Sequence, residues 1–280
     1  MIQKILTPID IDGESSEQVI KHAIELSKIF GAKLIYFHTY KMPLAPTTSE
    51  AGVWTGSSPQ IPIDQEALKE RQFKRLIEII PEATAVPYEY ISLRGMAADL
   101  LTDQAEELNV NLILMGTNEV LGIEAFIGTL AETVTRNAPC PVIVVPRNHP
   151  YKSIKRICLA VDPDHSIDEQ NLSTLLLIAK GCNIPLDIAH VQRGKNEIDE
   201  SQVDLFEQLK KKMEKYQIKY SFSTIPSEDV ERGIVEFTKR NQIDLLALVY
   251  REHGFFKRLF NPGLRKKLVS QSVTPLLILK

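Results

Sequence analysis

Apolar positions fall into short solid blocks separated by longer stretches with helical spacing. Ile2 to Ile9 is an apolar run that ends at Asp10 and predicts a strand. Ser15 or Ser16 can cap a helix, whose buried stripe is Val19, Ala23, Ile24, Leu26, Ser27 and Phe30 and whose stop is Gly31. Lys33 to Thr39 predicts the next strand. Residues 40–61 are rich in Pro, Gly, Ser and Thr and hold the single tryptophan, Trp54; they predict a long loop, in which Trp54 and Tyr40 either line a pocket or pack the loop down. A helix follows over Ile63–Ile80, closed by Pro81, then a strand over Tyr88–Leu93 and a helix from Met96 to Leu108, preceded by Gly95. Val110 to Met115 is a strand, Leu130 to Arg136 a helix, and Val142 to Val145 a last strand. Strands alternating with helical crossovers predict an α/β fold with a parallel sheet.

The pattern then starts again. Arg156 to Asp162 repeats Lys4 to Asp10, and Leu186 to His190 repeats Leu34 to His38, both at an offset of 152 residues. Ile243 to Leu248 lies over Val110 to Met115 at an offset of 133, and Thr274 to Leu279 over Cys140 to Val145 at 134. The offset shrinks mainly because the second copy lacks the 40–61 loop. This is an internal duplication. Its boundary falls at Arg147–Pro150, giving domains 1–148 and 149–280. The last strand of each copy, Val142–Val145 and Leu276–Leu279, is apolar and its edge needs covering.

The chemistry concentrates in the segment from Met115 to Thr129. It leaves a strand, carries Gly116, Gly122 and Gly128, and enters a helix. Glycine lets backbone approach a ligand, and free N–H groups at a helix start favour an anion. The alternative is a plain strand-to-helix connection; the lysine of a P-loop is absent. In the second copy Val249 and Pro262 replace the first and last of these glycines, and Arg251, Lys257, Arg258, Arg265, Lys266 and Lys267 crowd the segment. That basic loop suits an anion, an acidic partner or merely solvent.

Composition narrows the classes. The chain has 280 residues, 44% apolar and 25% charged, with net charge −3 and a pI near 6.1. No global positive field draws it to nucleic acid. Cys140, Cys158 and Cys182 show no CxxC spacing and read as buried small hydrophobes in a reducing compartment. The N-terminal run is too short for a signal peptide and no stretch is long enough to span a membrane, so the expected location is the cytoplasm. His38 and His190, at matching strand positions, read as structural. Asp12, Glu14 and Glu17 read as a loop and a helix start, not a metal cluster. No catalytic Ser/His/Asp or Cys/His set assembles.

A first strand ending in Asp10, a second ending in His38-Thr39, Met115-Gly116-Thr117, Gly128-Thr129 and Ala138-Pro139-Cys140-Pro141-Val142-Ile143-Val144-Val145 together resemble the universal stress protein family. The resemblance covers the chain as a tandem pair. It implies two five-stranded parallel-sheet domains, adenine nucleotide alpha hydrolase-like and Rossmann-like, in a stress-response module, with Val142–Val145 and Leu276–Leu279 expected to pair within the chain as a pseudo-two-fold. A homodimer is expected because that is the commonest oligomer. The resemblance also implies an adenine nucleotide, ATP with magnesium, in the first domain. Pro8, Ile9 and Asp10 would border adenine and ribose, with Thr39 alongside. Met115, Gly116, Thr117, Gly128, Thr129 and Leu130 would face the phosphates. Two departures stand out: Glu119 replaces the family's second motif glycine, and Gly116 to Gly128 is 12 steps where the motif has 13. Any ATP hydrolysis would be slow and incidental, since no general base is in place. The alternative is an interaction scaffold that binds no nucleotide and uses the second domain's basic loop.

Overall fold

The computed structural model describes residues 1–10, 16–40, 65–117, 129–146, 149–162, 167–194, 200–251 and 274–280. The expectations for Asp12 and Glu14, for Trp54 and the 40–61 loop, for Glu119, Gly122 and Gly128, and for the basic residues from Lys257 to Lys267 lie outside these residues.

In chain order the first half contains β1 (Lys4–Pro8), α1 (Ser16–Phe30), β2 (Lys33–Tyr40), α2 (Gln65–Ile79), β3 (Tyr88–Arg94), α3 (Ala97–Glu107), β4 (Leu112–Gly116), α4 (Thr129–Asn137) and β5 (Val142–Val145). The second contains β6 (Ile157–Ala160), α5 (Glu169–Gly181), β7 (Leu186–Gln192), α6 (Glu200–Tyr216), β8 (Tyr220–Pro226), α7 (Val230–Arg240), β9 (Leu245–Val249) and β10 (Leu276–Leu279). Pro81 does end α2, and the chain then tightens into a 3₁₀ turn, Pro81–Thr84.

Among the described residues, the ten strands form one sheet in the order β3-β2-β1-β4-β5-β10-β9-β6-β7-β8. Within each half the pairing is parallel. The duplication is reproduced register for register. Ile5 pairs with Leu34 and Leu112, and Ile157 pairs with Leu186 and Leu245. The halves meet at β5 and β10, which pair antiparallel through Ile143 and Leu277. Those two residues are equivalents in the repeat, so the pseudo-two-fold passes between them. Each apolar end strand thereby covers the other's unpaired edge, as expected.

The turns repeat as well. Gly31 (φ 62) closes α1 and Asn183 (φ 54) closes α5; Asn109 (φ 52) follows α3 and Gln242 (φ 51) follows α7. Glycine and asparagine tolerate this left-handed geometry best. Further contacts hold the halves together. Lys280 Nζ donates to the Arg136 carbonyl at 2.7 Å and sits 4.2 Å from the Tyr250 ring centre. A Cβ on Gly181 would meet Phe30 at 2.7 Å, so the end of α5 lies tight against the end of α1.

Cys140 and Cys158 are buried and Cys182 is partly so; all three are free thiols. Burial pushes Cys140 up to about 12 and Cys182 to about 11. Among the described residues no helix is long and apolar enough to cross a membrane.

One hydroxyl in the central strand works against the fold. Thr7 is fully buried and its Oγ1 has no hydrogen-bond partner. Thr7→Val keeps the shape and removes the desolvated hydroxyl. Thermal or urea unfolding is expected to show a gain of about 1 kcal/mol. A loss of stability would show that the hydroxyl is satisfied in solution.

Candidate functional site

In the first half β2 and β3 lie to one side of β1, and β4 and β5 to the other. The crossovers therefore part on opposite faces between β1 and β4, leaving a crevice at the carboxyl ends of those strands. That is where open parallel sheets take ligands. A cavity of 440 Å³ opens there.

Each wall follows from a local feature. Pro8, Ile9 and Asp10 come from the end of β1, and the Ile9 N–H is fixed by the Phe37 carbonyl at 2.8 Å. Phe37, His38 and Thr39 come from β2, Met115 and Gly116 from β4, and Leu130 from the first turn of α4. Ile9, Phe37 and Met115 are buried and Asp10 is exposed, and the lining surface as a whole is about equally polar and apolar.

Of the residues expected from the sequence, the cavity gathers Pro8, Ile9, Asp10, Thr39, Met115, Gly116 and Leu130. Thr129 opens α4 directly beside this wall, and Gly128 lies outside the described residues. Thr117 ends the described part of this wall. It is buried, is absent from the lining, and its N–H continues the sheet by donating to the Val145 carbonyl at 3.1 Å. That N–H is therefore not presented to a phosphate.

Several lining residues escaped the sequence reading: Val19 from α1, Phe37 and His38, and Gly95, Ala97 and Leu101 around the start of α3. Gly95 carried a signal, since it stands between a strand end and a helix start. Its φ of +152 and the 2.9 Å approach of Leu100 to any added Cβ make glycine the fitting residue. His38 and His190 differ despite their matched positions. His38 is half-exposed in the cavity wall, and its Nδ1 is 3.4 Å from Ser92 Oγ, which donates to Gln72 Oε1 at 3.0 Å. His190 is buried against Phe206, neither ring nitrogen has a hydrogen-bond partner, and burial pushes its pKa down. The structural reading suits His190. His38 belongs to the cavity.

The family model described as the universal stress protein family matches residues 1–146. The chain belongs to the universal stress protein family. A universal stress protein from Methanocaldococcus jannaschii is 32% identical over 149 residues, covering 52% of this chain and 82% of the relative. A universal stress protein A homolog from Coxiella burnetii is 27% identical over 143 residues, covering 51% of this chain and 94% of the relative. The crystal structure of a universal stress protein from Archaeoglobus fulgidus superposes with a TM-score of 0.68 at 16% identity. It covers 100% of this chain and 97% of that one. At that identity the likeness speaks for the fold alone, and it extends over both halves. Both curated relatives match only about half of this universal stress protein, whereas the fold likeness takes in the whole of it.

Proposed function

We propose that this universal stress protein is a stress-response module of two domains, 1–148 and 149–280, whose first domain binds an adenine nucleotide. The observation that carries the reading is the 440 Å³ cavity at the β1/β4 switch point, lined by Pro8, Ile9, Asp10, Thr39, Gly116 and Leu130. Its volume is within the range of small-ligand sites, roughly 300–1,000 Å³. The side chains of Ile9, Phe37 and Met115 offer an apolar contact to a purine base, and the polar part of the lining offers hydrogen bonds to its edge. Asp10 accepts hydrogen bonds from ribose hydroxyls. The first turn of α4 offers backbone N–H groups and the positive end of its dipole to phosphates. Among the described residues no group of three or more His, Cys, Asp or Glu side chains forms a metal site. Magnesium would arrive on the phosphates and spread their charge. The domain's own part is to bind and orient, and the protein acts as a nucleotide sensor in which any ATP hydrolysis is slow and incidental.

The test is calorimetric titration with ATP and magnesium, after checking the purified protein for carried-over nucleotide. One site per chain is expected. Asp10→Ala should weaken binding at least tenfold, about 1.5 kcal/mol for a hydrogen bond to a charged group. No heat and no carried-over nucleotide would overturn the reading and leave the interaction scaffold.

A further inference from the structure

Residues 149–155 lead from the first half into β6, and His149 and Tyr151 lie against α1. His149 and His22 are each 4% exposed. Their rings stack with centroids 5.7 Å apart and planes at 26°. The Tyr151 ring meets His22 edge-on at 5.0 Å, and the Tyr151 N–H donates to Gln18 Oε1 at 2.8 Å. Buried His22 Nε2 has no hydrogen-bond partner. Two imidazoles thus share one desolvated gap between the connector and a helix that carries Val19 into the cavity wall.

We propose that the stacked His22–His149 pair is an acid-sensitive latch, fastening the connector between the halves to α1 and letting go when the imidazoles take up protons. A proton on His22 Nε2 would be a buried charge without an acceptor, and a second on His149 would face the first. The charged groups nearby act mainly on other partners. On α1, Lys21 is held by Glu17 at 2.6 Å, and Glu82 of the 3₁₀ turn acts on Lys21. Glu25, also on α1, has its Oε2 buried without a hydrogen-bond partner; it acts on the Tyr151 hydroxyl and on Cys182 at the end of α5, and is not among the groups that shift His22. Lys152 of the connector is committed to Asp244 at 2.6 Å. What acts on His22 is burial first and His149 second, and together they push it down from 6.5 to about 4.

The sign follows. The packed state holds His22 neutral, so the latch is intact above pH 6.5 and weakens as pH falls from 6.5 toward 4. One such histidine lowers the ratio of closed to open latch about twentyfold between pH 7 and pH 5. The latch does not depend on what the cavity binds.

The experiment is hydrogen–deuterium exchange by mass spectrometry at pH 7 and pH 5, corrected for intrinsic exchange. Peptides spanning 149–155 and α1 should open about twentyfold more in the wild type at pH 5, while β9 and β10 stay protected. The variant His22→Phe with His149→Phe should lose that difference. An unchanged connector at pH 5, opening of every strand alike, or an equal response in the double variant would each overturn the latch. If the double variant does not fold, NMR titration of the His22 ring in the wild type decides it. A midpoint near 4 supports the latch, and one near the ordinary 6.5 overturns it.

Discussion

Leu277→Ala is expected to lower the unfolding free energy by about 4 kcal/mol, toward the upper part of the range for buried leucines. Leu277 is fully buried in β10, between β5 and β9, and it pairs with Ile143 on the pseudo-two-fold. It belongs to a cluster that includes Leu112 and Leu114 of the first half and Ile157 and Leu245 of the second. Hydrogen-bonded strands on both sides prevent the site from collapsing around a smaller side chain, so the cavity term adds to the lost transfer energy. Ile143→Ala removes the partner across the axis and should cost a similar amount. Because the two residues touch, the double variant should cost measurably less than the sum. Urea unfolding of the four proteins checks this. A change below about 1 kcal/mol for Leu277→Ala, outside the usual span for such truncations, would mean that the two halves do not share a core in solution.

Asp244→Ala should cost about 3 kcal/mol, because it strands several donors at once. Asp244 Oδ2 accepts the N–H groups of Lys155 at 2.9 Å and Arg156 at 3.0 Å, fixing the entry to β6, while Oδ1 meets Lys152 Nζ at 2.6 Å. The repeat supplies a built-in control. Asn111, the equivalent residue, accepts the N–H groups of Gln3 at 2.8 Å and Lys4 at 3.0 Å at the entry to β1. Asp244→Asn should therefore keep the backbone clamp, lose only the ion pair with Lys152, and cost about 1 kcal/mol. Equal losses in the alanine and asparagine variants would sink this account.

A pH signature accompanies the clamp. Burial works to raise the Asp244 carboxyl, but the hydrogen bonds from Lys152, Lys155 and Arg156 outweigh it and leave its pKa lowered. The carboxylate form is thus preferred in the folded protein. Its contribution is present above the ordinary carboxylate pKa and is lost as pH falls through the lowered one. In Asp244→Asn that acid-side loss should disappear from the stability curve.

The sequence carried the strands and their order of appearance because solid apolar blocks bounded by turn residues admit few other structures. It carried the duplication because register is kept: Asn111 and Asp244 stand at the same offset as the strands they introduce. It also marked seven of the cavity's residues, since strand ends followed by Asp10, Thr39 and Gly116 are local features. It did not mark Val19, Leu101 or Ala97, whose membership depends on which face of a helix turns toward the sheet end. Nor could it separate His38 from His190. The two sit alike in the repeat, but Ser92 and Gln72 give one a polar neighbourhood and Phe206 gives the other an apolar one.

What the chain determined by itself is the repeated α/β unit, its apolar end strands and the glycine-marked strand ends. Those are set by patterns a few residues long. The tertiary structure decided the register of the expected join, with Ile143 opposite Leu277 in one ten-stranded sheet. It also decided that the Thr117 N–H is spent on Val145, and that two histidines 127 positions apart, His22 and His149, are stacked out of water. Each of these depends on surfaces brought together from distant parts of the chain, where burial and hydrogen-bond satisfaction are settled only once the halves have closed on one another.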